Sequence, residues 1–465
     1  MNRIIYKSLA IVTVALTLTA CAGRKTYERP QAIDEKLFRT ESPATDAQSD
    51  ATLSWRNIFT DPLLQQHISK ALSNNLDVRV AMQSVISAQA YLKQSKASFI
   101  PTLSVGANYT RSTSSLNAGG GAPDRTYNNL FDITGNASWE ADIWGKLSAQ
   151  KRASYASYLV TLEAQKAVQS EVVATLATAY YQLLMLDEQK KVLEQTIEFR
   201  TKSLETTKQL KKAGSTTEVA TKQIEALVYN AQAQLITINN SVWALENTIC
   251  VLLGEEPHNI ERSTLAEQQF PTQFHQGYAV SLLENRPDVA RAELNLRNAF
   301  ELTNVVRSNF YPTLTLSARG GISSTELDTW FSAKSMFANF IAGLAQPILN
   351  RRQIRTQYEV QKAAQETALL NFKKAILSAG KEVSDAMRQF SSQDEFIQLK
   401  TQEMKAYQDA TDYSKQLFDS GMVNYLEVIT AEVNRLNAEL SVANAQFTRM
   451  QYGIILYKAL GGGWR

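Results

Sequence analysis

Few residues in this chain stand where they could make or break bonds. Its three histidines, His67, His258 and His275, form no cluster, and its two cysteines, Cys21 and Cys250, are separated by more than the length of one repeat. No glycine-rich phosphate loop and no Cys/His metal spacing occurs, so neither a catalytic group nor a resident metal is expected. The charged residues with a distinctive setting are Asp132, Glu140, Asp142 and Arg319, which fall in runs where polar and apolar residues alternate. Leu103, Val105, Ala107 and Tyr109 alternate with Ser104, Gly106, Asn108 and Thr110. Phe131, Ile133, Ala137, Trp139, Ala141 and Ile143 do so with Asp132, Thr134, Asn136, Ser138, Glu140 and Asp142. A period of two puts the charges on one face of a strand and the apolar residues on the other. The chemistry this suits is that of a wet wall, not of a reaction.

The chain has 465 residues, of which 44% are hydrophobic and 20% charged, with a net charge of +3. That balance is globular, and without a basic stripe it gives no reason to expect a nucleic-acid partner. Past residue 20 no apolar run reaches the 18 residues a membrane-spanning helix needs. Arg3 and Lys7 precede the apolar segment Leu9 to Leu18, the plan of a secretory signal over 1–20. Its end, Leu18-Thr19-Ala20-Cys21, is similar to the bacterial lipobox, which implies a diacylglycerol and an N-acyl lipid on Cys21. Ala22, where an aspartate would retain such a protein in the inner membrane, implies sorting to the outer membrane. Residues 21–54, rich in Pro, Ser, Thr, Asp and Gln, read as a lipid-anchored tether. Cys250, in a helical run, then has no partner, so no disulfide is expected.

These wet and apolar faces must be carried by something, and the chain repeats its answer twice. Trp55 to Ala97 is helical, with Asp61-Pro62 as a start signal. Phe99-Ile100-Pro101-Thr102-Leu103 ends it, because the residue before proline is pushed out of the helical region. Strands are expected at about 102–110 and 130–143, around a Ser/Gly/Asn loop that includes Gly119-Gly120-Gly121. From Gly145 to Leu253 there is no proline. Val172, Leu176, Ala179, Leu183, Leu186, Leu193, Ile197 and Leu204 recur at a period near 3.5, a coiled-coil seam with Lys190 and Arg200 at two intervening positions. Gly214, between Lys211-Lys212 and Ser215-Thr216-Thr217-Glu218, reads as a hairpin turn. The helix before it has roughly 68 residues, about 100 Å.

The plan then returns. Phe310-Tyr311-Pro312-Thr313-Leu314 matches Phe99 to Leu103 at an offset of 211 residues, and Gly421 and Leu460-Gly461 match Gly214 and Leu253-Gly254 at 207. Leu314, Leu316, Ala318 and Ile322 alternate with Thr313, Thr315, Ser317 and Arg319, predicting strands at about 313–323 and 337–348. The chain is thus a tandem repeat, 55–254 and 278–465, with hairpins turning at Gly214 and Gly421. The connector at 255–277, with Pro257 and Pro271, should have little regular structure.

Alternation alone also fits a sheet lying on a soluble core. Two points favour a membrane: the polar face is too charged to be packed under long helices, and four strands cannot close a barrel, for which about eight are needed. Strands pooled from three chains would number twelve and enclose water. At this point the sequence resembles a known family. The lipobox, Trp55-Arg56-Asn57-Ile58-Phe59-Thr60-Asp61-Pro62-Leu63, the paired Phe-x-Pro-Thr-Leu starts, Trp139 to Gly145, Asn285-Arg286-Pro287-Asp288-Val289 and the closing Tyr457 to Trp464 look like those of TolC-like outer-membrane factors, in the lipoprotein branch.

The resemblance implies a mixed α and β membrane protein: a homotrimeric 12-stranded outer-membrane β-barrel, four strands per chain, continued by a periplasmic α-helical coiled-coil barrel. It implies passive efflux of drugs or other small toxic solutes, and partnership with a periplasmic adaptor and an inner-membrane pump of the resistance-nodulation-division class. Asp132, Glu140, Asp142 and Arg319 would then face the lumen, and the apolar face would meet outer-membrane lipid. A periplasmic gate is implied just after the second turn, at Leu426, Glu427 and Thr430, where relatives commonly carry an aspartate at the position of Thr430. An exit duct for an ATP-driven protein or peptide secretion system is the alternative, and a periplasmic scaffold without a pore is a third.

Overall fold

The computed structural model describes residues 26–30, 54–113, 115, 125, 127–269 and 285–465. The signal segment, Cys21, residues 31–53 of the tether, Gly119-Gly120-Gly121 and His275 lie outside the described residues. The described residues divide into two units, the first holding residues 26–30, Ile86–Val160 and Glu293–Asn371, the second the other described residues.

The first unit is built on four antiparallel strands in sequential order: β1 (Thr102–Thr113), β2 (Tyr127–Ala141), β3 (Thr313–Ser324) and β4 (Met336–Ala345). Its helical parts belong to α3 (Leu76–Ala97), α4 (Lys146–Lys212), α6 (Pro287–Ser308) and α7 (Gln353–Ser391). Arg152 of α4 grips Glu301 of α6 through two hydrogen bonds of 2.7 and 2.8 Å, and Asn298 donates to the Ala153 carbonyl at 2.8 Å. Ser95 of α3 meets Ser154 at 2.6 Å.

The second unit contains α1 (Trp55–Ile58), α2 (Pro62–Asn74), most of α4, α5 (Glu218–Leu253), α8 (Gln393–Asp419) and α9 (Tyr425–Ala459). Helix α4 runs 67 residues with neither glycine nor proline inside it, so nothing in its backbone interrupts the hydrogen-bond ladder. Its seam residues Val172, Leu176, Ala179, Leu183, Leu186 and Leu193 are buried, as the 3.5 period requires, while Ile197 and Leu204 further along are half-buried; the first five pack with Trp55, Phe59, Tyr180, Tyr181 and Tyr457 into one core. The motifs have plain structural work here. Asp61 caps α2 at Leu63 N and accepts from Tyr180, Ser263 and Gln268; burial would raise its pKa, but these donors hold it below the ordinary carboxylate range. Arg286 binds Asp288 twice, Glu382, and the Ala459 carbonyl at 2.8 Å, tying the second repeat's entry to the chain's end.

Three expectations need correction. The helix from Trp55 to Ala97 is three helices: the first break falls at Phe59–Asp61, where Asp61 caps the helix that Pro62 starts, and the second at Asn75, whose side chain accepts from Asp77 N and Val78 N while donating to the Leu252 carbonyl. The long helix of the second repeat breaks at Ser391-Ser392, where both hydroxyls bond back to carbonyls of the preceding turn. The strand bounds also shift, since β2 starts earlier, at Tyr127 opposite Thr113, and stops at Ala141, while β4 stops at Ala345, opposite the start of β3 at Thr313. The described part of the connector holds one short 3-10 turn, Leu265–Glu267, and Arg262 fastens it to Asp187 and Glu246. Among the described residues no helix is long and apolar enough to cross a membrane.

Candidate channel wall and gate

Strand register decides which side chains share a face, because directly opposed residues point the same way. Asn108 opposes Asp132, which opposes Ser323; Asn136 opposes Arg319, which opposes Asn339; Glu140 opposes Thr315. Asp132, Glu140 and Arg319 therefore share one face, lined otherwise by Ser104, Thr134, Ser138 and Ser317. On it Asn108 donates to Asp132 at 3.1 Å and Lys146 to Glu140 at 2.9 Å, while Arg319 lies over the Phe337 ring. The opposite face carries Leu103, Val105, Tyr109, Ile133, Leu316, Phe340 and Leu344. Leu103 is 77% exposed, Val105 75% and Phe340 71%. A sheet that leaves its apolar face bare and turns charges to the other side has the alternation of a barrel wall in lipid. Aromatic clusters mark both strand ends: Tyr109, Phe131 and Trp330 at one, Trp144 stacked on Tyr311 at 4.9 Å at the other. The blurred pattern of β4 is explained as well, for Phe337 and Ile341 stand on the polar face opposite Gly321 and Ser317.

Asp142 does not belong with the other three. β2 ends before it, and its carboxylate caps α4, accepting from Leu147 N at 2.8 Å and from Ser148 N and Oγ. The helix N-terminus holds this anion, and the strand pattern could not reveal that its last acidic residue had left the strand.

In the second unit the two glycine turns are built alike. Gly214 and Gly421 have φ of 74° and 71°, a left-handed conformation that glycine adopts freely. Ser215 N bonds the Leu210 carbonyl and Met422 N the Leu417 carbonyl, each at 2.9 Å. Thr217 then caps α5 and Asn424 caps α9. Tyr425 faces Ser203 and Thr207, shortly before the first turn, so both turns lie at one end of this unit. On α9 Val428 and Ile429 are buried, while Leu426, Glu427 and Thr430 are exposed, Leu426 at 54%. The Thr430 hydroxyl donates to the Leu426 carbonyl at 2.9 Å.

Just above this end sits a group that period reasoning did not assign a role. Arg200, at a seam position, is 2% exposed and donates to the Leu227 carbonyl at 3.1 Å. With Glu432 of α9 it lines a cavity of about 220 Å³, together with Phe199, Lys415, Arg435 and Glu439. Arg200 Nε and Glu432 Oε1 find no hydrogen-bond partner among the described residues. Burial pushes Glu432 up to about 6, against the pull of Lys415, Arg200 and Arg435. Arginine in an apolar heptad was the visible sign; Glu432, two turns into another helix, gave none.

The two histidines among the described residues stay apart. His67 donates through Nε2 to the Glu261 carbonyl at 2.9 Å, and His258 stands beside buried Cys250.

With this geometry in hand, comparison with known proteins is direct. The family model for outer membrane efflux protein matches residues 67–255 and 279–462, one match per repeat. The probable outer membrane lipoprotein SilC of Salmonella typhimurium is 26% identical over 98% of this chain and 99% of its own length. The toluene efflux pump outer membrane protein TtgI of Pseudomonas putida is 26% identical over 99% and 98%. A crystal structure of CusC, described in terms of transmembrane channel formation, superposes with a TM-score of 0.85 at 25% identity, covering 94% of this chain and 99% of that one. The chain belongs to the outer membrane efflux protein family: its strands form part of a trimeric 12-stranded β-barrel in the outer membrane, its helices part of a periplasmic coiled-coil barrel, and together they serve as the exit channel of a tripartite efflux system.

Proposed function

We propose that this chain is a passive, gated duct whose cargo is chosen by its partners, a periplasmic adaptor and an inner-membrane pump of the resistance-nodulation-division class. The observation that carries this is the division of the sheet into a bare apolar face and a face bearing Asp132, Glu140 and Arg319, which suits a wall and offers no pocket for one solute. The relatives support it: SilC and TtgI align end to end with this chain at the same 26% identity, yet the name of the second specifies toluene. CusC of Escherichia coli, 27% identical, is named for cation efflux. Small toxic solutes, whether cations or solvents, are the cargo class we infer. Cys21 carries the lipid, in keeping with the lipoprotein name of SilC.

Leu426 closes the periplasmic mouth. Three copies of an exposed leucine around an axis make an apolar ring that sheds water and so stops ions. Glu427 is the nearby acid, and Thr430, whose hydroxyl is engaged by the Leu426 carbonyl, contributes no charge there. Planar-bilayer recording is the test: Leu426→Ser trimers should show larger single-channel conductance and longer openings than the parent. Unchanged conductance in intact trimers would place the constriction elsewhere.

A further inference from the structure

The sheet has two open edges, β1 and β4, and the internal repeat specifies how they meet. Within the chain, β2 of the first repeat pairs with β3 of the second, Phe131–Ala141 against Leu314–Ser324, with Gly135 opposite Gly320. Around a closed barrel of three such chains, the step from β4 to the next chain's β1 is the same step, from the end of one repeat to the start of another. The offsets that carry one step onto the other are set by the ladders themselves. Tyr109 opposes Phe131, and Gly320, 211 residues after Tyr109, opposes Ala338, 207 residues after Phe131. These are the offsets of the Phe-x-Pro-Thr-Leu starts and of the glycine turns.

We infer that in the trimer residues 338–348 of one chain pair antiparallel with residues 103–113 of the next, with Ala342 opposite Tyr109 and Gly343 opposite Asn108. The register keeps the faces consistent. Leu344 meets Ala107 and Ile348 meets Leu103 on the apolar face, while Ile341 meets Thr110 and Asn339 meets Ser112 on the polar one. Tyr109, already stacked on Phe131 at 4.8 Å, gains the small Ala342 as its neighbour and Phe340 diagonally beside it. Ile348, 90% exposed in the single chain, acquires a partner. β4 stops at Ala345 within one chain because β3 begins only at Thr313; the neighbouring β1 extends further and lets β4 continue through Gln346 to Ile348. A one-residue slip would turn Tyr109 and Leu103 to the wet face, and a two-residue slip would move every opposed pair by one step.

Disulfide trapping tests this in the full-length protein with Cys250→Ser, purified as trimers. Two double variants, Asn108→Cys with Gly343→Cys and Tyr109→Cys with Ala342→Cys, sample both types of ladder position. At least one should give a covalent trimer on a denaturing gel, lost on reduction. Asn108→Cys with Ile341→Cys, or with Ala345→Cys, should stay largely monomeric on that gel, because diagonal neighbours about 7–8 Å apart exceed disulfide reach. Trapping of a shifted pair, equal trapping of all pairs, or none in trimers that conduct, would overturn the register. The inference rests on the trimeric barrel, and loss of the trimer in the unsubstituted protein is the separate result that would remove that basis.

Discussion

Glu432→Gln is the substitution whose effect can be worked through from the structure. Glu432 is buried on α9 beside Arg200, Lys415 and Arg435, and burial outweighs all three cations to lift its pKa from 4.5 to about 6. The folded chain therefore holds this proton more tightly than the unfolded chain does. The stability this gives is complete below pH 4.5 and is lost as the pH rises through 6. A shift of this size corresponds to about 2 kcal/mol, the cost of keeping Glu432 ionised in place at neutral pH. Glutamine keeps the shape and removes the charge. At pH 8 the variant should unfold with an apparent free energy up to about 2 kcal/mol higher than the parent's, and below pH 4.5 the two should converge. Urea unfolding of the detergent-solubilised trimer, followed by intrinsic fluorescence between pH 4 and 8, measures the difference. A gap that does not change with pH, or a variant weaker at pH 8, would show that the three cations hold the carboxylate more firmly than burial opposes it.

Other outcomes follow from single contacts. Cys21→Ser should abolish incorporation of a radioactive fatty acid while leaving barrel assembly intact, since the acyl chains on Cys21 assist an anchor that the strands already supply. Val105→Arg, on the bare apolar face, should destabilise the barrel by about 2–4 kcal/mol in vesicle refolding, whereas Ser104→Arg should have a much smaller effect. Equal losses for the two would reverse the face assignment. Gly321→Ala should block the β2–β3 ladder, because a Cβ there would lie 2.0 Å from the Ile133 carbonyl oxygen; heat-stable trimer should vanish from gels.

What sequence alone determined here is whatever depends on period and on repetition. Strand faces followed from alternation because side chains on a pleated strand must alternate, and the register confirms that Asp132, Glu140 and Arg319 share one. The long α4 seam followed from its 3.5 period, and the glycine turns followed from the φ only glycine adopts cheaply. Tertiary structure decided where local pattern competes with a distant partner. Asp142 continues the strand's alternation, but the backbone amides of α4 capture its carboxylate and end the strand. Asn75 sits in a helical run, yet bonding to Leu252, far along the chain, makes it a break. Arg200 and Glu432 are an exposed-looking pair by composition, and only the tertiary packing that brings α5, α8 and α9 around this part of α4 takes both from water. Their separation in sequence hides that burial, because the desolvation of a charge depends on which surfaces cover it and not on its neighbours along the chain.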